Sequence, residues 1–346
     1  MSGISAGTGS SARLLTPEEI AVRAGQTMPF LRLPQPQLFA EREMRLRQLA
    51  AGHAMRDYLL FIAELAHGQH RLLQQSRRLT LVPDIAQIEA AANSGQPLLP
   101  AGNWPRDPQW RDDLRLLLQG LAQRVGAGAA RETALRLAAD SDEHLEAQAE
   151  RLLSGVMLGL DLGTAPLIAA GLQLLWTRLV LQVQAEHGRD SLAPFGRTDE
   201  PTLCPCCGSR PTASITRLGA EVSGYRYLHC ALCATEWHFV RIKCSHCQGT
   251  KGIQYQSLQA LGAEQAIAAA VQAEYCEPCG HYLKIVHMEK DNEVEPLADD
   301  LASLTLDLLV SDAGAIRHGV NLMLLFGDPE PEEPSGSAPP PDPGPP

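Results

Sequence analysis

Apolar residues return at mixed three- and four-residue intervals through the first half of the chain. In "QLFAEREMRLRQLAAGHAMRDYLLFIAELAHGQHRLLQQ", Phe39, Leu46, Leu49, Tyr58, Leu59, Ile62, Leu65 and Leu72 follow this rhythm. It is the period of helices that each bury one face. "WRDDLRLLLQGLAQRV", "DEHLEAQAERLLSGVML" and "TAPLIAAGLQLLWTRLVLQVQAEH" continue the pattern, so roughly six to eight helices are expected up to about residue 190. The first of them is expected in "TPEEIAVRAG", where Thr16 caps, Pro17 takes the first helical position and Glu19 closes a capping box. The stretch "GVMLGLDLGTAPLIAAGLQLLW" contains Asp161, Pro166 and Gln173. It reads as two buried helices joined near Gly163 rather than as a membrane span.

The period changes after "HGRDSLAPFGRTDEP". Short runs of β-branched and aromatic residues follow, "TASITR", "GYRYLHC", "EWHFVRIKC", "GIQYQSL" and "HYLKIVHM", and predict small antiparallel sheets. "EPLADDLASLTLDLLVSD" then returns to helix. Leu297, Leu301, Leu304 and Leu308 lie on one stripe, and Asp299, Asp300, Ser303 and Asp307 on another, which reads as a solvated face that can meet a partner. The predicted layout is residues 1–14 disordered, 15–190 helical, 198–242 and 243–326 two β modules, the second with the C-terminal helix, and 327–346 a disordered tail rich in proline and acid.

The 346 residues are 45% hydrophobic but only 5% aromatic, in keeping with an Ala/Leu-dominated helical half. The net charge is −11, and it is nearer −6 without the five acids of the last nineteen residues. Between 201 and 290, eight Lys/Arg face six Asp/Glu, too even a balance to grip phosphates, so no nucleic-acid partner is expected. "MSGISAGTGSSARLL" lacks a basic segment followed by an apolar one, and a cytoplasmic location is expected.

All nine cysteines lie between Cys204 and Cys279, eight of them in four C-x-x-C pairs. In a reducing compartment such clusters point to metal ligation rather than disulfides. Two C-x-x-C turns supply the tetrahedral four-sulfur shell that zinc or a single iron accepts. Twenty-two residues separate Cys207 from Cys230 and twenty-eight separate Cys247 from Cys276, each enough for a hairpin that brings its second turn back to its first. The spacing therefore favours one site of Cys204, Cys207, Cys230 and Cys233 and another of Cys244, Cys247, Cys276 and Cys279. A cross-braced pairing, first turn with third and second with fourth, stays open. Gly208 and Gly280, directly after their pairs, supply the positive φ such a turn needs.

Cys206 reads as a spectator thiol. His229, His238, His246 and His281 read as packing or supporting groups, because eight cysteines already fill two shells. Tyr225, Tyr227, Trp237 and Phe239 read as ribbon core. A thioredoxin-like exchange site would need one C-x-x-C after a strand at a helix start, and nothing in the pattern matches that. The fold class expected is α+β: an all-α domain, two small rubredoxin-like or zinc-ribbon-like β modules, and a C-terminal helix.

Over most of residues 30 to 326 the chain resembles the formate dehydrogenase accessory protein family, FdhE. The resemblance is carried by "LFAEREMRLRQLAAGHAMRDYLLF", "CPCCGSRP", "GYRYLHCALCATEWHFVRIKCSHC", "AEYCEPCGHYLKI", "EPLADDLASLTLDLLVSDAG" and "RHGVNL". It implies a cytoplasmic, non-enzymatic maturation factor needed for active respiratory formate dehydrogenase, one that engages the catalytic subunit before its export. It also implies rubredoxin-like sites on the eight paired cysteines. The family usually has proline where this chain has Ala54, a difference at a helix junction away from the cysteines. Two other classes stay open: an electron-transfer module with four-cysteine iron sites, and a nucleic-acid-binding zinc ribbon.

Overall fold

The structure is a computed structural model that describes residues 29–75, 77–189, 192–218, 223–258 and 269–325. The expected capping box at Thr16 and the two expected disordered ends lie outside the described residues. From Leu31 onward the described residues belong to one compact unit.

Among the described residues, seven helices precede the cysteine region: α1 (Leu38–Leu49), α2 (Arg56–Leu73), α3 (Ile85–Ser94), α4 (Gln109–Arg124), α5 (Ala129–Ala138), α6 (Asp142–Ser154) and α7 (Ala165–His187). Several boundaries follow from local chemistry. Asp84 and Gln87 form a reciprocal capping box at the start of α3, which ends at Gly95 with φ 63°. Ser141 caps α6 by accepting from the His144 N–H at 3.2 Å, and Gly155 closes it at φ 67°. The expected pair of helices around Gly163 is instead a turn-rich loop followed by one long helix. Positive φ at Gly155 and Gly159 breaks the helix, and Asp161 accepts from the Gly163 N–H and the Thr164 hydroxyl just before α7 begins.

α7 is mostly apolar, and seventeen of its residues are buried. It is long and apolar enough to cross a membrane, but that length is buried inside the protein as the axis of the helical half. Gly171 lets α4 approach it, since a Cβ there would stand 3.3 Å from Cβ of Leu114. Buried Arg178 of α7 pairs with Asp113 of α4 and donates to the Leu72 carbonyl at 2.9 Å.

The strands are β1 (Leu31–Arg32), β2 (Pro211–Leu218), β3 (Ser223–Cys230), β4 (Glu236–His238), β5 (Ile253–Gln256), β6 (Val271–Cys276), β7 (His281–His287) and β8 (Ile316–Arg317). They form one sheet in the order β1-β4-β3-β2-β7-β6-β5, with β8 also on β7. The two cysteine modules are thus fused where β2 runs parallel to β7, Ser214 opposite Ile285 and Thr216 opposite His287. Burial of every residue from Pro211 to Thr216 fits an interior strand covered on both faces.

The C-terminal helix departs from expectation in two ways. It is two helices, α8 (Pro296–Ala302) and α9 (Leu304–Asp312), joined at Ser303, and its acids are not solvated. Asp299 and Asp300 are each 2% exposed and Asp307 5%. Glu295 accepts from Arg42 at 2.9 Å and caps α8 through the Ala298 N–H at 2.7 Å. Asp299 pairs with Arg45 at 2.6 Å. Asp300 and Asp307 share Lys284 and Arg317 at 2.5 to 3.1 Å. Cations from α1, β7 and β8 draw these carboxylates inward, because a buried acid is tolerated only when paired. The acidic stripe therefore fastens α1 and the sheet to α8 and α9 instead of facing a partner.

Candidate metal centres

Each C-x-x-C pair sits in a tight turn closed by backbone hydrogen bonds. Gly208 N–H donates to the Cys204 carbonyl at 2.7 Å, Gln248 to Cys244 at 3.0 Å and Gly280 to Cys276 at 2.9 Å. In the remaining turn Cys230 N–H donates to Thr235 at 2.9 Å. The residue after each pair has positive φ: Gly208 at 72°, Ala234 at 58°, Gln248 at 61° and Gly280 at 71°. The glycines were legible in the sequence. Ala234 and Gln248 adopt the same conformation at a cost of order ~1 kcal/mol each, and only the repeated C-x-x-C spacing signals them.

These turns bring the cysteines together in the sequential pairing. Cys204, Cys207, Cys230 and Cys233 gather in one group, and Cys244, Cys247, Cys276 and Cys279 in another, with all four sulfurs of each within 4.8 Å of one another. The cross-braced alternative is not formed. Sulfur separations are 3.6 Å for Cys204–Cys233, 3.4 Å for Cys207–Cys230, and 3.7 Å for both Cys244–Cys279 and Cys247–Cys276. A tetrahedral ion with bonds of ~2.3 Å needs sulfurs about 3.8 Å apart, and these separations lie close to that value, so each group could hold such an ion. The N–H groups of Leu232 and Cys233 point at Cys230 Sγ at 3.3 and 3.4 Å, and those of His246 and Cys247 at Cys244 Sγ at 3.3 and 3.5 Å. Such contacts stabilise thiolates before any ion arrives.

The titration of the thiols is uneven within each shell. Burial pushes Cys204 and Cys230 well up, and Cys276 up to about 12. At Cys233 burial acts in the same direction, but hydrogen bonds from the surrounding thiols outweigh it and hold the group well below its ordinary value. Cys247 is lowered chiefly by a backbone N–H at Gly249. Four thiolates at these separations need a cation to coexist.

The first shell is sealed. Cys204, Cys207 and Cys233 have no exposure and Cys230 only 1%. The N–H groups of Leu99 and Ala101 donate to the carbonyls of Cys206 and Cys207 at 2.9 and 2.8 Å. From α7, Gln173 donates to the Ala231 carbonyl at 2.8 Å, while Trp176 donates to Leu99 at 3.1 Å. Both turns of this shell are thus tied to the helical half. Cys206 is buried beside them, its sulfur 3.5 Å from the Thr235 hydroxyl and outside the four-sulfur group. Tyr227, Trp237 and Phe239 are buried in the ribbon as expected.

The second shell lies at the surface, with Cys247 exposed and Cys279 half-buried. Of the four histidines noted in the sequence, His229 lies 3.4 Å from Glu236, and His238 meets Tyr225 and Tyr227 edge-on. His246 and His281 stack face to face at 3.7 Å beside Cys279. A fifth, His318, stands edge-on to His246 at 5.2 Å. It was missed because it lies beyond the cysteine region, and β8 carries it back through its pairing with β7.

Comparison with known proteins agrees along the whole described unit. Family profiles described as "FdhE, N-terminal", "FdhE, central domain" and "FdhE, C-terminal domain" match residues 28–192, 203–241 and 242–324. The "Protein FdhE homolog" of Cronobacter sakazakii is 38% identical over 310 residues, 89% of this chain and 95% of that protein. The chain belongs to the FdhE family. The homolog of Pseudomonas aeruginosa is 39% identical over 318 residues, covering 92% of this chain and 99% of that protein. The crystal structure of the FdhE protein from Pseudomonas aeruginosa superposes with a TM-score of 0.76 at 39% identity, over 87% of this chain and all of that one. The helical half, the fused sheet and the paired cysteine turns are therefore read here as an FdhE architecture.

Proposed function

We propose that this chain is a non-catalytic maturation factor that engages the catalytic subunit of respiratory formate dehydrogenase in the cytoplasm, before that subunit is exported. Membership of the FdhE family supports the accessory role in formate dehydrogenase assembly. In this reading Cys204, Cys207, Cys230 and Cys233 hold one metal ion and Cys244, Cys247, Cys276 and Cys279 a second, each iron or zinc. The observation that carries it is the pair of four-sulfur groups already spaced for a tetrahedral ion.

A bound ion cross-links the two turns of its shell and, as iron, also exchanges one electron. The first shell welds the sheet to α7 and to the 99–101 segment. The second leaves sulfur at the surface. With Asp299, Asp300 and Asp307 committed to internal ion pairs, the outer faces of the helical half are taken as the partner surface.

The test is recovery of the catalytic subunit on tagged full-length protein purified without oxygen, with elemental analysis and a visible spectrum on the same sample. Recovery with close to two metal ions per chain supports the reading. Loss of recovery from metal-replete protein would sink the partner assignment, and one ion or none would sink the two-site assignment. Exposure of Cys247 favours one further reading, an electron-transfer module. Two colourless zinc ions would eliminate it, whereas thiolate-to-iron bands that bleach on reduction would advance it.

A further inference from the structure

Beside the second shell lies a group of donors that four-cysteine ligation does not use. We propose that His246, His281 and Cys279 hold an additional zinc-class divalent ion next to that shell, with the Cys279 thiolate shared between the two ions. The inference rests on reading the second cysteine group as a metal shell.

One donor atom from each of the three residues lies within 4.8 Å of the others. His281 Nδ1 is 2.8 Å from the Cys279 carbonyl. That contact places the ring proton on Nδ1 and leaves the Nε2 lone pair for a cation, the arrangement by which ligating histidines are oriented. Two imidazoles, one thiolate and a solvent-filled fourth position form a three-ligand open site suited to zinc or cobalt(II).

In the present arrangement the His246 and His281 rings lie 8° from parallel, so their in-plane lone pairs run side by side. His246 is exposed, and joint ligation with His281 and Cys279 requires its side chain to turn out of the stack. His318 lines the same small cavity as His246, His281, Cys244 and Cys276. It is only 8% exposed, and its Nε2 has no hydrogen-bond partner. A third imidazole nitrogen is therefore left over at the same spot. Histidines that merely packed would be expected to spend both nitrogens on the protein or on water.

The experiment is an anaerobic titration of metal-free, reduced full-length chain with Co2+ alone, followed through the thiolate-to-cobalt and ligand-field bands. The wild type is expected to take up three equivalents, the last the weakest. H246Q/H281Q is expected to stop at two, with the two tight equivalents and the helical circular dichroism retained. Two equivalents in both proteins, or a third that persists in H246Q/H281Q, overturns the additional site and leaves the four-cysteine reading standing. Fewer than two in the wild type overturns the four-cysteine reading itself, and this inference with it.

Discussion

The two cysteine groups have the same C-x-x-C spacing and nearly the same sulfur separations, yet their surroundings differ. In the first group no cysteine exceeds 1% exposure, and backbone or side-chain bonds from Leu99, Ala101 and Gln173 fix both of its turns. In the second, Cys247 faces solvent and three histidines gather on one side. Identical donor sets thus differ in what their loss would do. A sealed shell is part of the core, whereas an open one can exchange its ion or a ligand with the outside.

The largest effect that would sharpen this contrast is removal of one ligand from each group. Cys207→Ser is expected to cost at least about 5 kcal/mol, because metal-site energy is folding energy and no water can replace the lost ligand. The helical signal should then melt together with the sheet. Cys247→Ser, where solvent can fill the vacant position, is expected to lose less than about 2 kcal/mol. Thermal melts of both variants by circular dichroism decide the matter. Equal destabilisation would erase the distinction between core and surface shells.

The next effect probes the joint that carries both groups. Asp300 is shared by Lys284, Arg317 and Asn321, and Asp300→Ala would leave buried cations under-paired at roughly 3–5 kcal/mol. Urea unfolding should show a lower midpoint with the metal content of both groups retained. A variant as stable as the wild type would mean that this network is dispensable to the fused sheet.

What could be read from the sequence and what could not divides along contact range. The cysteine shells were legible because each turn is set by four consecutive residues and each return by one hairpin. The helices of the first half were legible for the same reason, from their apolar period, although the caps at Asp84 and Ser141 were not singled out. The fusion of the ribbons was not, since the pairing of Ser214 with Ile285 spans the whole region and β-branched runs do not name their neighbours. Nor was the burial of Asp299 and Asp300. An acidic stripe on a helix reads as solvated until Arg45, Lys284 and Arg317 are found against it, and Arg45 lies in the first helix described.

A further effect, on the order of 3 kcal/mol, separates the edge of the first module from the metal chemistry. Burial alone would raise the Glu236 carboxyl, but the Arg217 guanidinium and His229 outweigh it and hold the group down from 4.5 to about 2. A carboxylate lowered in the folded state stabilises the protein above its unfolded value. That contribution is lost as pH falls from 4.5 towards 2. Glu236→Gln should therefore be less stable than the wild type at neutral pH, and the gap should close across this window. Comparing the two proteins cancels the loss of metal to acid that both share. A gap that stays constant with pH would show that Glu236 acts through packing and not through its charge.

The smallest effect concerns Cys206, the one cysteine outside both groups. It is fully buried, with its carbonyl bound by the Leu99 N–H and its sulfur near Thr235. Burial pushes its thiol well up, as it does those of Cys204 and Cys230, but its sulfur lies outside the four-sulfur group, and that position, not its titration, keeps it from the ion. The backbone bond to Leu99 survives any substitution of the side chain. Cys206→Ala is therefore expected to cost only ~1 kcal/mol for the small void it leaves, with the ion count of both groups unchanged by elemental analysis. Were an ion lost from the first group, Cys206 would be acting as an alternate ligand there. The sealed shell would then hold five exchangeable sulfurs instead of four fixed ones, and the contrast with the open shell would narrow from its buried side.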